Sequence, residues 1–92
     1  MIRRFGRLVS MSTLPSLPAY RFRRIDAMRN MARFYMLSLE PTLFGEVAVL
    51  RHWGRIGTRG RQALSLYPTL AEAETVLARQ VALRRRRGYV EA

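Results

Sequence analysis

From Tyr20 the chain alternates apolar and polar side chains at the period of a β-strand, as Tyr20-Arg21-Phe22-Arg23, and Arg24-Ile25 continues it with one irregularity. This predicts a strand over residues 20–25, before Asp26 and Asn30 mark a loop. Phe34-Tyr35-Met36-Leu37-Ser38-Leu39 is an aromatic-rich apolar run closed by Glu40-Pro41, where proline removes a ladder donor and restricts the residue before it. It predicts a second, central strand. Phe44 to Ile56 carries Val47, Val49 and Leu50, residues that suit a pleated surface, and predicts a third strand long enough to twist or bulge near Gly54. Gly57-Thr58-Arg59-Gly60 places glycines where a hairpin needs positive φ, and Gln62 to Tyr67 alternates through Leu64 and Leu66 as a fourth strand.

The period then changes to that of a helix. Thr69 followed three residues later by Glu72 forms a capping box after Pro68. Leu70, Ala73, Val76, Leu77, Val81 and Ala82 or Leu83 recur at three- and four-residue spacing, a stripe that has to lie on another apolar surface. Gly88 is expected to end the helix. The pattern therefore predicts an α+β fold: an antiparallel β-sheet of about four strands with one C-terminal amphipathic α-helix packed across one face. Residues 1–19, with three arginines, three serines, two prolines and no sustained period, are expected to form a disordered basic arm before a domain at 20–92. Met11 is an alternative start.

Composition narrows the function. A chain of 92 residues holds one small domain and no multidomain enzyme. Its 49% hydrophobic content is too high for a disordered tail. Seventeen arginines, no lysine and six acidic residues give a net charge of +11, which calls for a polyanionic partner. Codon composition explains the exclusive use of arginine as well as selection for guanidinium chemistry does, so the charge and not the choice of arginine carries the argument. The charge is uneven. Residues 1–33 hold eight arginines against Asp26, residues 34–83 hold five against four glutamates, and residues 84–92 hold four against Glu91. Arg84–Arg87 sweep about 300° of a helix at 100° per residue, so they cannot all face one duplex.

Without cysteine there is no disulfide scaffold, thiol nucleophile or thiolate zinc site, and His52 alone makes no histidine-rich metal site. The longest uncharged stretch, Leu8 to Tyr20, is 13 residues with two prolines, short of a membrane span. Its serines and prolines do not read as a signal peptide. A cytoplasmic location is expected, with nucleoid association left open, and with no membrane and no small-molecule substrate. Glu72 and Glu74 sit in the first helical turn, where the dipole favours anions. Asp26 and Glu40 bound loops, and Glu46 points outward, so no carboxylate pair suggests acid–base work. His52 reads as packed or solvated. No catalytic residue, cofactor or metal is expected.

The strongest local feature is Trp53-Gly54-Arg55. In a strand Trp53 and Arg55 project from one face roughly 6.5 Å apart, with Arg51 on the same face if the strand is regular. An indole beside a guanidinium suits a nucleic-acid backbone, the ring stacking on a sugar or base and the guanidinium meeting phosphate. The competing reading is a core tryptophan, because Trp53 shares parity with Val47 and Val49. Arg59-Gly60-Arg61 resembles a minor-groove arginine pair without flanking prolines.

The run Arg51-His52-Trp53-Gly54-Arg55-Ile56-Gly57-Thr58-Arg59-Gly60, preceded by Asn30-Met31-Ala32-Arg33-Phe34-Tyr35 and followed by the capped helix ending Arg87-Gly88-Tyr89, resembles the WGR domain over about residues 20–90. WGR domains occur in poly(ADP-ribose) polymerases, where they bind DNA at strand breaks, and as small bacterial proteins. The resemblance implies the same sheet and helix. It implies that Trp53 packs against a sugar at a DNA end and Arg55 contacts the backbone nearby, while Gly54, Gly57 and Gly60 shape the hairpin. With no transferase domain, polymerase activity does not carry over. The expectation is a non-enzymatic, sequence-nonspecific module for nucleic acid, DNA rather than RNA, at ends or nicks. Its candidate binding residues are Trp53, Arg55, Arg51, Arg59 and Arg61. The alternative is a protein-interaction module that docks an acidic partner or a second copy through the same face.

Overall fold

The computed structural model describes residues 17–92. In chain order these form β1 (Ala19–Asp26), a 3-10 turn (Ala27–Arg29), β2 (Met31–Pro41), β3 (Val47–Arg55), β4 (Arg61–Tyr67), α1 (Leu70–Arg86) and β5 (Val90–Glu91). All strand pairings are antiparallel, in the order β4-β3-β2-β1-β5. The first four strands form a meander. The helix then carries the chain from the β4 edge across the sheet to the far side, where β5 pairs Arg23 with Val90 and Phe22 with Glu91. The expected architecture of a sheet with one helix on it is present, with a short fifth strand beyond the four read from the sequence.

Element ends differ from the sequence reading for identifiable reasons. β2 starts at Met31 because Asn30 takes left-handed backbone (φ 52°) after the 3-10 turn, releasing the chain straight into pairing with β1. β3 starts at Val47 and not at Phe44. Gly45 (φ 89°) turns the chain, while Thr42 closes the loop with backbone and side-chain hydrogen bonds to the Glu46 carbonyl. Leu43 and Phe44, apolar in sequence, are exposed there. Pairing between β2 and β3 runs unbroken from Arg33↔Arg55 to Pro41↔Val47, so Gly54 causes no bulge. The two described residues before β1 enter the fold as well. Leu17 packs against the core and the Pro18 carbonyl accepts from the Leu39 amide; residues 1–16 of the expected arm lie outside the described residues.

Both ends of α1 follow from local chemistry. The Thr69 hydroxyl accepts from the Glu72 amide at 3.2 Å, the expected cap. At the C-terminus the Gly88 amide donates to the Arg85 carbonyl and the Tyr89 amide to the Arg84 carbonyl, with Gly88 at φ 86°. This is a Schellman motif, and it satisfies carbonyls that would otherwise be orphaned. It also reverses the chain so that Tyr89 packs back on the sheet. The core lies between α1 and one sheet face, built from Phe22, Tyr35, Leu37, Leu39, Val47, Val49, Ala73, Leu77, Val81 and Tyr89. The other face has no helix among the described residues, and Leu64 and Leu66 are exposed on it.

Candidate nucleic-acid interface

In an antiparallel ladder directly paired residues point to the same face, so the pairs Leu39↔Val49, Leu37↔Arg51, Tyr35↔Trp53 and Arg33↔Arg55 form four successive rows under and beyond the helix. α1 begins near the Val47 end, after Tyr67, and its buried positions are Ala73, Leu77, Val81 and Arg84. It covers the first rows and stops over Tyr35. Trp53 therefore shares the core face, as its parity requires, and is still only half-buried because the helix ends before reaching it. The uncovered rows form an open groove of about 660 Å³ lined by Arg33, Tyr35, Arg51, Trp53, Gly54, Arg55, Arg84 and Tyr89.

The aromatic groups in the groove are held in layers. Trp53 stacks on Tyr35 with ring centroids 5.9 Å apart and planes 19° apart, and Tyr35 meets Tyr89 edge-on at 6.0 Å. Guanidinium groups lie over these rings: Arg51 sits 5.4 Å from the Trp53 centroid, and Arg84 sits 4.3 Å from that of Tyr35. Arg55 is aimed by the turn after β1. Its guanidinium donates to the Asn30 carbonyl at 3.2 Å and to Asn30 Oδ1 at 3.4 Å, contacts made available by the left-handed backbone at Asn30. These partners are neutral. The ion pairs among the described residues are Arg29–Asp26 and Arg85–Glu91, both outside the groove. Four arginines thus line one concavity with no carboxylate among them.

The hairpin after Arg55 depends on close backbone approach. Gly54 and Gly60 face each other so tightly that a Cβ on Gly54 would lie 2.7 Å from the Gly60 Cα. A Cβ on Gly60 (φ 74°) would strike the Trp53 carbonyl and the Phe34 ring. Gly57 (φ 93°) has open space and needs glycine only for its backbone angle. His52 Nε2 bonds the Arg59 carbonyl at 2.7 Å and its ring meets Phe34 edge-on at 5.1 Å. It ties the hairpin together from the opposite face.

Of the five candidate binding residues, Trp53, Arg55 and Arg51 come together in the groove. Arg59 lies on the exposed hairpin loop, and Arg61 begins β4 opposite Trp53 but outside the groove lining. The sequence reading offered Arg33 only as an addition to a charged footprint and Arg84 only as one of a run of four, and it gave Tyr35 and Tyr89 no binding role; the groove holds all four. Two signals were available: Arg33 and Tyr35 share β2 parity with Leu37 and Leu39, and Arg84 is the next position of the helix stripe after Ala73, Leu77 and Val81. No cluster of three or more metal-ligating side chains occurs among the described residues, and no helix there is long and apolar enough to cross a membrane.

Comparison with known proteins bears on the family and the fold. An uncharacterized protein, y4dW, of Sinorhizobium fredii is 42% identical over 66 residues, which cover 72% of this chain and 32% of that protein. A crystal structure of a Bacteroides fragilis protein superposes with a TM-score of 0.70 at 21% identity, covering 82% of this chain and 19% of that one. The chain thus spans about a third of the first relative and about a fifth of the second, and the second likeness concerns the fold alone. The profile of the WGR domain matches residues 19–92, from the first residue of β1 to the end of the chain, and the chain belongs to the WGR domain family.

Proposed function

We propose that this WGR domain is a binding module without chemistry of its own, which takes the sugar-phosphate backbone of nucleic acid, DNA rather than RNA, into the groove beside the Trp-Gly-Arg hairpin. WGR domains are associated with nucleic-acid binding in proteins related to poly(ADP-ribose) polymerases. The observation that carries the reading is the half-buried Trp53, stacked on Tyr35 in an open groove whose four arginines face no carboxylate. An indole face offers stacking that tolerates any sequence, and the guanidinium groups offer phosphate contacts. Contacts to phosphate and stacking on a sugar or base carry no base identity, which supports sequence-nonspecific binding. Because α1 closes one end of the groove and the hairpin borders the other, a strand end or nick enters it more readily than continuous duplex.

Mobility-shift titrations with blunt, nicked and end-sealed duplexes over a salt series test this. Neutralising four phosphates gives a slope of log affinity against log salt of about −3.6, with tighter binding to open and nicked ends and a loss in Trp53→Ala. A slope near zero refutes phosphate-led binding. An acidic protein partner on the same groove is the alternative. It predicts no shift with any duplex at low salt and capture of an acidic peptide that Trp53→Ala abolishes.

A further inference from the structure

Arg84 is the one buried charged residue among the described residues, 9% exposed, and its Nε has no hydrogen-bond partner. No carboxylate pairs with it among the described residues. Burying a charge without a partner is costly, and arginine does not shed its charge on burial as lysine can. The three positions that precede it on the same helix stripe, Ala73, Leu77 and Val81, are apolar. Packing alone would be met by an apolar residue at position 84 too.

The geometry around Arg84 prepares it for an outside ligand. Tyr35 takes one approach to its guanidinium at 4.3 Å and Tyr89 another at 5.6 Å. Cation–π contacts of this kind offset part of the burial cost and fix the plane of the group. An arginine held by such contacts still has its terminal N–H groups to donate. Arg84 lines the groove that also holds Arg51 and Arg55. The carbonyls at the helix end do not compete for those N–H groups, because the Schellman motif already supplies amide partners. A tetrahedral oxyanion matches such a fork of donors in a carboxylate-free pocket.

We propose that Arg84 is a phosphate ligand at the inner end of the groove, a contact separate from those of Trp53 and Arg55. The proposal rests on the nucleic-acid reading above and gives the α1 arginine of the groove a role of its own within it. The fold carries a buried, unpaired charge there in exchange for a preorganised anion site, so removing the charge separates stability from binding.

The test compares the full chain with Arg84→Met and Arg84→Lys, using inorganic phosphate and duplex DNA as probes. Melting is followed with rising phosphate against chloride of equal ionic strength. The wild type is expected to gain melting temperature saturably with phosphate. Arg84→Met is expected to melt no lower than wild type in chloride, to lose the phosphate response, and to bind duplex on the order of tenfold more weakly, with a salt slope shallower by about one. Arg84→Lys keeps a weaker phosphate response, and decides the matter should Arg84→Met not fold: a lysine variant responding like wild type, or not at all, overturns the proposal. So does a phosphate response or duplex affinity that survives in folded Arg84→Met, or the absence of any phosphate response in wild type. A wild type that fails to bind duplex sinks the nucleic-acid reading itself. Binding weakened by Trp53→Ala but not by Arg84→Met sinks only the role of Arg84. Duplexes with sealed ends, bare ends and phosphorylated ends identify the source of the phosphate. Equal losses on all three point to an internal diester, and a loss confined to phosphorylated ends points to a terminal monoester.

Discussion

Three glycines in one hairpin separate two physical costs that usually arrive together. Gly57→Ala imposes only a backbone cost, since φ is 93° and nothing lies within 4 Å of the added methyl; a left-handed residue with a Cβ costs about 1–2 kcal/mol. Gly54→Ala imposes only a steric cost: its φ is not in the left-handed range, but its Cβ would lie 2.7 Å from the Gly60 Cα, a backbone atom that cannot rotate away. Overpacking of that kind costs about 1–3 kcal/mol. Gly60→Ala carries both, with φ at 74° and its Cβ driven into the Trp53 carbonyl and to 2.7 Å from Phe34 Cζ, so its cost is about 2–5 kcal/mol. At about 4–8 °C per kcal/mol for a domain of this size, Gly60→Ala melts lowest by a margin easily read in urea or thermal unfolding, followed by Trp53 fluorescence and far-UV circular dichroism. In the folded proteins Gly57→Ala keeps nucleic-acid affinity, whereas Gly54→Ala, which opens the hairpin beside Trp53, loses it. Equal stability for Gly57→Ala and Gly60→Ala would refute the reasoning, because the close approach of the two hairpin arms would then carry no energy.

Further outcomes follow from the packing. Leu37→Ala removes a side chain that is 1% exposed under α1, and is expected to cost about 2–5 kcal/mol in denaturant titration, with duplex affinity of the folded protein unchanged. Thr69→Ala removes the hydroxyl that accepts from the Glu72 amide; a loss of about 1 kcal/mol is expected by the same assay. Asn30→Gly keeps the left-handed turn and removes the Oδ1 acceptor of Arg55, so duplex affinity falls while the melting temperature changes little. A large loss of stability in that variant would mean that Asn30 holds the turn and not the guanidinium.

The strands and the helix were legible because their periods are local. Tyr20 to Ile25 alternates, Gln62 to Tyr67 alternates, and Thr69 with Glu72 announces the helix start. The third strand, expected from Phe44, starts at Val47, and only the pairing of Thr42 with the Glu46 carbonyl shows that Phe44 belongs to a turn. β5 was invisible, since two residues carry no period and its existence depends on where the Schellman turn sends the chain. The site was half legible. Trp53-Gly54-Arg55 stands out in sequence, and its parity with Val47 and Val49 placed it on the core face. What parity could not say is where the helix stops. That depends on how far Leu70–Arg86 reaches over a sheet whose rows are set by the β2–β3 register, and this length turns a core position into a groove wall. Arg84 could not be singled out from its run for the same reason. In sequence it is one of four arginines; in the fold it alone faces inward, while Arg85 pairs with Glu91 and Arg86 and Arg87 are exposed.

The central claim is that nucleic acid enters the groove beside Trp53, and the chain's single tryptophan reports on it directly. Its fluorescence would be titrated with a 5′-phosphorylated blunt duplex, a nicked duplex and an end-sealed dumbbell at two salt concentrations, for wild type and Arg55→Ala. The account predicts quenching that weakens with salt, is stronger with free ends or nicks than with the dumbbell, and is lost in Arg55→Ala. A signal unchanged by every duplex, with binding absent in an independent mobility-shift assay, would contradict it.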